Sequence, residues 1–187
     1  MRKHITKYIM ASLVVLSLGT SLSAYEGFVK IRPFGSLGHT GGSKVYVGDG
    51  SLMNYRFILQ PMYQFSTMVS LGVDVGYLHA YTTDYTNATG TKGYSPYSRA
   101  DFVHSLVLLD FSPSRENFFI MQFALGPYTG TADNAGDIHF GLMLAFGVDF
   151  PITKNISIPI VTRFDLIAAD QFLAPINVSA GVTFRIR

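Results

Sequence analysis

From Phe140 to Phe150 every even position is large or apolar: Phe140, Leu142, Leu144, Phe146, Val148 and Phe150. The intervening positions, His139, Gly141, Met143, Ala145, Gly147 and Asp149, are small or polar apart from Met143. After the turn at 151–155 the alternation resumes with Ile156, Ile158, Ile160, Thr162, Phe164 and Leu166, against Ser157, Pro159, Val161, Arg163, Asp165 and Ile167. A period of two sustained over ten or more residues marks a β-strand with two unlike faces. These strands exceed the usual five or six residues and form a hairpin. An apolar face of that length, opposed by Gly, Asp and Arg, fits a strand with hydrocarbon on one side and a packed polar interior on the other.

Residues 1–24 read as a secretion signal and stand apart from the fold. Arg2, Lys3 and Lys7 form the positive n-region, and Ile9–Leu18 the apolar h-region. Cleavage after Ser23 puts the small Ser21 at the −3 position and cleavage after Ala24 puts Leu22 there, and both sites stay open. The apolar run is shorter than the ~20 residues that a spanning helix needs. Removing the signal leaves 163 residues with 11 basic and 12 acidic side chains, a net charge of −1. The pI near 8.8 therefore belongs mainly to the signal and gives no reason to expect nucleic acid as a partner. A chain of this length is one domain, 25–187. It has no cysteine, hence no disulfide framework and no lipidation cysteine.

The mature chain repeats the alternation. A first strand is expected at Gly27–Gly38, with Val29, Ile31, Pro33 and Leu37 opposite Lys30, Arg32 and Ser36; a Gly-rich loop follows from His39 to Gly50. Met53 to Phe65 shows an unbroken apolar face against Asn54, Arg56, Gln60 and Gln64, and Ser66-Thr67 is a tight turn. Val69 to Tyr81 places Ser70, Gly72, Asp74, Gly76 and Ala80 inward, and 82–99 is the longest loop. In the fourth strand, Ala100–Phe111, the faces are mixed: Phe102, Leu106 and Leu108 share a side with His104 and Asp110. After a turn at 112–117, Phe119, Met121, Phe123, Leu125 and Pro127 face away from Gln122, Ala124, Gly126 and Tyr128. Loops at 130–137 and 169–174 flank the organising hairpin, and Ile176–Ile186 is the eighth strand, with Arg185 inward.

Eight strands with alternately long and short connectors predict an all-β, eight-stranded antiparallel up-and-down transmembrane barrel, its even strand number allowing closure. Closure leaves no unpaired backbone edge in hydrocarbon. The signal, the Gly147-Val148-Asp149-Phe150 segment and the final VSAGVTFRIR at 178–187 resemble small bacterial outer-membrane barrels of the OmpX, OmpW and OmpA-transmembrane-domain kind. That resemblance implies outer-membrane residence after export, insertion by the barrel-assembly machinery, and contact with outer-membrane lipid and lipopolysaccharide. The family's last strand usually ends on an aromatic residue; here the aromatic is Phe184 and Arg187 follows.

The inward charges are Lys30, Arg32, Arg56, Asp74, Asp110, Asp149, Arg163, Asp165 and Arg185. An eight-stranded barrel has room inside only for side chains, and charges there must be paired. The expectation is a structural Lys/Arg–Asp network that plugs the lumen, in which Arg163 and Asp165, two apart on one face, reach each other only loosely. The competing readings are a narrow conduit for small or apolar solutes and an enzyme acting on lipid A or phospholipid. No catalytic, cofactor or metal residue is expected. His104 and Ser105 point to opposite faces, and His79, His104 and His139 fall on different strands. Asp133, Asp137 and Asp170 read as solvated loop acids. Three Asn-x-Ser/Thr triplets, at Asn87, Asn155 and Asn177, read as chance. Tyr81, Tyr85, Tyr94 and Tyr97 suit either an interfacial girdle or a recognition loop for an extracellular ligand.

Overall fold

Each alternating segment becomes a long antiparallel strand. The computed structural model describes residues 27–42, 52–66, 68–82, 85–86, 92–93, 99–112, 119–131, 137–168 and 173–186. The signal at 1–24, Thr67, Asn87, Tyr94, Tyr97, Asp133 and Asp170 lie outside the described residues. The strands are β1 Phe28–Gly42, β2 Leu52–Gln64, β3 Val69–Thr82, β4 Tyr85–Thr86, β5 Lys92–Gly93, β6 Arg99–Phe111, β7 Phe119–Thr131, β8 Ile138–Pro151, β9 Ile156–Ala168, β10 Leu173–Gly181 and β11 Thr183–Ile186. β4 and β5 pair only with each other, inside the segment read as the longest loop. β10 and β11 are two pieces of one barrel strand, and each lies between β1 and β9. The result is a closed, eight-stranded, all-antiparallel up-and-down barrel, with no helix among the described residues.

The break at Val182 has a local cause. Val182 donates its N–H to the Pro33 carbonyl at 3.2 Å, and proline has no N–H to return. On the other side the β9 ladder stops at Ala180↔Ile160 and resumes at Thr183↔Ser157, a gap that spans Pro159. Proline on both neighbours therefore interrupts the last strand. A gap of the same size in the β6–β7 ladder falls beside Pro127 and Gly126. Gly126 sits at φ 155°, where a Cβ would meet the Ser105 carbonyl at 2.7 Å.

Register fixes the barrel's dimensions. Following paired residues around the wall leads from Val29 through Tyr63, Leu71, Leu109, Phe123, Leu144, Phe164 and Ile176 back to His39, ten residues further along β1. Eight strands with a stagger of ten tilt by roughly 40° from the barrel axis, given ordinary strand rise and spacing. The stagger also lengthens strands at the rim. His39–Gly42, expected as loop, is strand, because Leu52–Met53 on one side and Leu173–Ile176 on the other give it partners. Likewise β7 runs on to Thr131 and β10 starts at Leu173. The connector at 169–172 is then no longer than that at 152–155, so the contrast between the two ends rests on 43–51 and 83–98.

The alternation is an inside-out distribution of polarity. Leu37 is 71% exposed and Phe57 64%, whereas Arg32 and Arg56 are 0% exposed. Apolar side chains stand exposed on all eight barrel strands, from Val29 on β1 round to Val178 and Phe184 on β10 and β11. Mixed-face β6 resolves in favour of the lumen: Phe102, Leu106 and Leu108 are buried beside His104 and Asp110.

Candidate functional site

The lumen places cations and carboxylates from opposite walls within contact. Near the end carrying the shorter connectors, Lys30 donates to Ser70 Oγ at 3.0 Å and Ser112 Oγ at 2.9 Å, 3.6 Å from Asp110. Arg32 binds the other Asp110 oxygen at 2.9 Å and Thr183 Oγ1 at 2.8 Å. Gln122 donates to Asp110 at 2.9 Å and to Gln60 Oε1 at 3.0 Å; Gln60 in turn donates to Asp74 at 2.7 Å. Two glutamines thus join the lower ion cluster to a second one at mid-height.

In that second cluster Arg163 is the hub. Its Nη1 reaches Asp74 at 2.8 Å, while Nε and Nη2 hold Asp165 at 2.9–3.1 Å. The loose Arg163–Asp165 contact expected from their spacing is instead a tight fork. Inward residues two apart on a strand stand within an arginine's length, and the guanidinium turns back along its own strand. Asp165 also accepts from Arg56 Nη1 at 2.9 Å and from the Tyr128 hydroxyl. His104 Nε2 lies 2.7 Å from Asp74 Oδ1. Each carboxylate is shared by at least two donors, the condition under which buried ions hold together.

Glycines make this possible. A Cβ on Gly76 would stand 2.6 Å from His104 Cε1, and one on Gly141 would stand 2.4 Å from the Tyr128 ring. Each ring takes up space on a neighbouring strand that a side chain would otherwise fill.

Asp149 and Arg185 pair separately at 3.1 Å near the rim, where Arg185 is partly exposed. The nine inward charges therefore fall into a connected set of seven and one further pair. Sequence reasoning placed Gln60, Gln122, His104 and Tyr128 inward without joining them to the charges. Their signal was a polar side chain on an inward position facing an Asp across the lumen. Toward the longer connectors the lumen mixes apolar Leu78, Phe102, Ile167 and Leu173 with the hydrogen-bonded pair Asn54–Thr40, all buried.

His79 and Asp101 form a side-chain pair between β3 and β6, with the Tyr55 ring 4.7 Å from His79. His139 meets Phe102 edge-on at 5.9 Å. Among the described residues no group of three or more His, Cys, Asp or Glu is arranged to hold a metal. Asp137 is exposed, and its carbonyl accepts from Gly130 N–H at 2.7 Å. Ser157, Asn177 and Ser179 of the triplets are buried.

The wall geometry is shared with solved barrels. Neisserial surface protein A superposes with TM-score 0.53 at 14% identity, over 83% of this chain and 96% of that one. The outer-membrane protein OprG of Pseudomonas aeruginosa gives 0.54 at 12% identity, over 86% and 96%. At these identities the likeness is one of fold. No protein-family model and no curated protein matches the chain.

Proposed function

We propose that this protein is an integral barrel of the bacterial outer membrane, with a lumen closed by its own ion pairs and a structural or surface-interaction role. The observation that carries the reading is the inversion of polarity: apolar side chains exposed on every barrel strand, ionic ones buried within. In water such a surface would be one continuous apolar patch, far beyond the few hundred Å² that soluble monomers tolerate. In a bilayer it is solvated by acyl chains. The Lys30–Asp110–Arg32 and Arg56–Asp165–Arg163–Asp74 contacts cross the lumen between opposite walls and are buried, which supports a plug over a conduit. Catalysis and cofactors form no part of this reading. The contacts with the outside fall to the wall, facing lipid and lipopolysaccharide, and to the connectors at 43–51, 83–98 and 132–137. Export by the signal at 1–24 and insertion by the barrel-assembly machinery belong to the same proposal.

The test is to express the full chain, separate inner and outer membranes, and run the outer-membrane fraction unboiled and boiled. Outer-membrane recovery with a heat-shifted band is the expected result. Soluble recovery with heat-insensitive migration would refute it.

A further inference from the structure

Eleven buried side-chain atoms of the described residues have no hydrogen-bond partner, and seven of them share one stretch of the lumenal wall. They are Ser36 Oγ, Ser179 Oγ, Asn54 Oδ1, Asn177 Oδ1 and Nδ2, and Arg56 Nε and Nη2. Their residues are at least 94% buried. Register makes them neighbours: Ser36 on β1 faces Ser179 on β10 and Arg56 on β2, while Gly38 faces Asn177 and Asn54. The Asn177 amide leans over Gly38, where a Cβ would lie 2.8 Å from its oxygen.

Arg56 closes this patch from above. Its Nη1 bonds Asp165 on β9, and the wall runs β9–β10–β1–β2. Arg56 thus spans from β2 to a carboxylate on β9, two strands beyond its neighbour β1, and its Nε and Nη2 edge stays buried without a partner. That edge is the fork with which arginine grips an anion. In the unpartnered set Arg56 Nε and Nη2 are donors only and carry positive charge, while the two serine hydroxyls can donate or accept and the amides offer one nitrogen and two oxygens. Charge points the same way as the donor-only guanidinium edge. In the connected network Lys30, Arg32, Arg56 and Arg163 face only Asp74, Asp110 and Asp165, so one negative charge brings the lumen to neutrality.

We infer that this stretch of the lumenal wall binds a small monovalent anion, a halide or a formate-sized carboxylate, between the Arg56 guanidinium and the Ser36–Asn177–Ser179 wall. The anion enters as the barrel closes and then belongs to the plug.

The test is to refold the mature chain from urea into detergent at constant ionic strength with chloride, bromide, formate or the bulky gluconate as the only anion. The urea midpoint is expected to rise in the three small anions relative to gluconate. Bromide-grown crystals are expected to show an anomalous peak at Arg56 Nε and Nη2. The Ser36→Ala/Ser179→Ala double variant, which keeps the Arg56–Asp165 pair, is expected to lose most of the shift. Asn177→Asp supplies the negative charge from the chain, so it is expected to be as stable in gluconate as the parent in chloride. Equal midpoints in all four salts with ordered water only at the site would overturn the inference. So would a shift that survives the double variant, or an Asn177→Asp barrel that is weakened in every salt.

Discussion

His104 Nε2 lies 2.7 Å from Asp74 Oδ1, and its ring occupies the place of a side chain on Gly76, the residue opposite it in register. A methyl there would also stand 2.6 Å from the Phe57 carbonyl, so backbone as well as ring must move. Gly76→Ala is expected to destabilise the barrel by about 1–3 kcal/mol, the usual range for overpacking. On the outer face Gly35 has open space around its missing Cβ, and Gly35→Ala is expected to be neutral or to stabilise by about 0.5–1 kcal/mol. Urea unfolding from lipid vesicles measures both; equal losses would show that Gly76 makes no room for His104.

Asp165 is the shared partner of Arg56, Arg163 and Tyr128. Asp165→Asn leaves two guanidiniums without their common counter-charge, and a loss of about 3–5 kcal/mol is expected. Replacing Arg56 by Met in the same chain is expected to recover part of it, because removing both partners leaves less uncompensated charge. A double-mutant cycle in urea gives the coupling; a value near zero would mean that the Arg56–Asp165 contact adds nothing.

A plug of this kind bears on conduction. In planar bilayers the parent barrel is expected to give no steady openings above the bare-membrane baseline. Stable, reproducible conductance steps would favour the conduit reading.

On the outer wall, Leu144 lies midway along β8 and Ile138 at its start. Leu144→Arg is expected to cost about 2–4 kcal/mol and Ile138→Arg about 0–1 kcal/mol, following depth in the bilayer. Folding titrations in vesicles read the difference; the same cost at both depths would argue against a membrane midplane near Leu144.

The faces were legible in the sequence because a period of two states which side chains share a side, and Phe140–Leu166 states it almost without interruption. Strand ends were not. Gly41 and Gly42 have loop composition, yet the stagger of ten supplies them with Ala174 and Leu173 as partners, and no local rule contains the stagger. The ion pairs were hidden for the same reason. Arg56 and Asp165 are 109 residues apart, and Arg163 and Asp74 are 89 apart; they meet only because the barrel closes. The break at Val182 depends on Pro33 and Pro159 lying on its two neighbours, which is a fact of register. The tight Arg163–Asp165 fork was within reach of the sequence, had arginine's length been set against the spacing of inward positions.

The chain contains no cysteine, so single cysteines can be placed at each position from 142 to 146 and spin-labelled in vesicles. Collisional accessibility to oxygen, which partitions into acyl chains, is the measurement. High oxygen accessibility at 142, 144 and 146 with low values at 143 and 145 is the expected result. The reverse order, or even positions reached by a water-soluble relaxant instead of oxygen, would contradict an apolar wall facing lipid around an ionic interior.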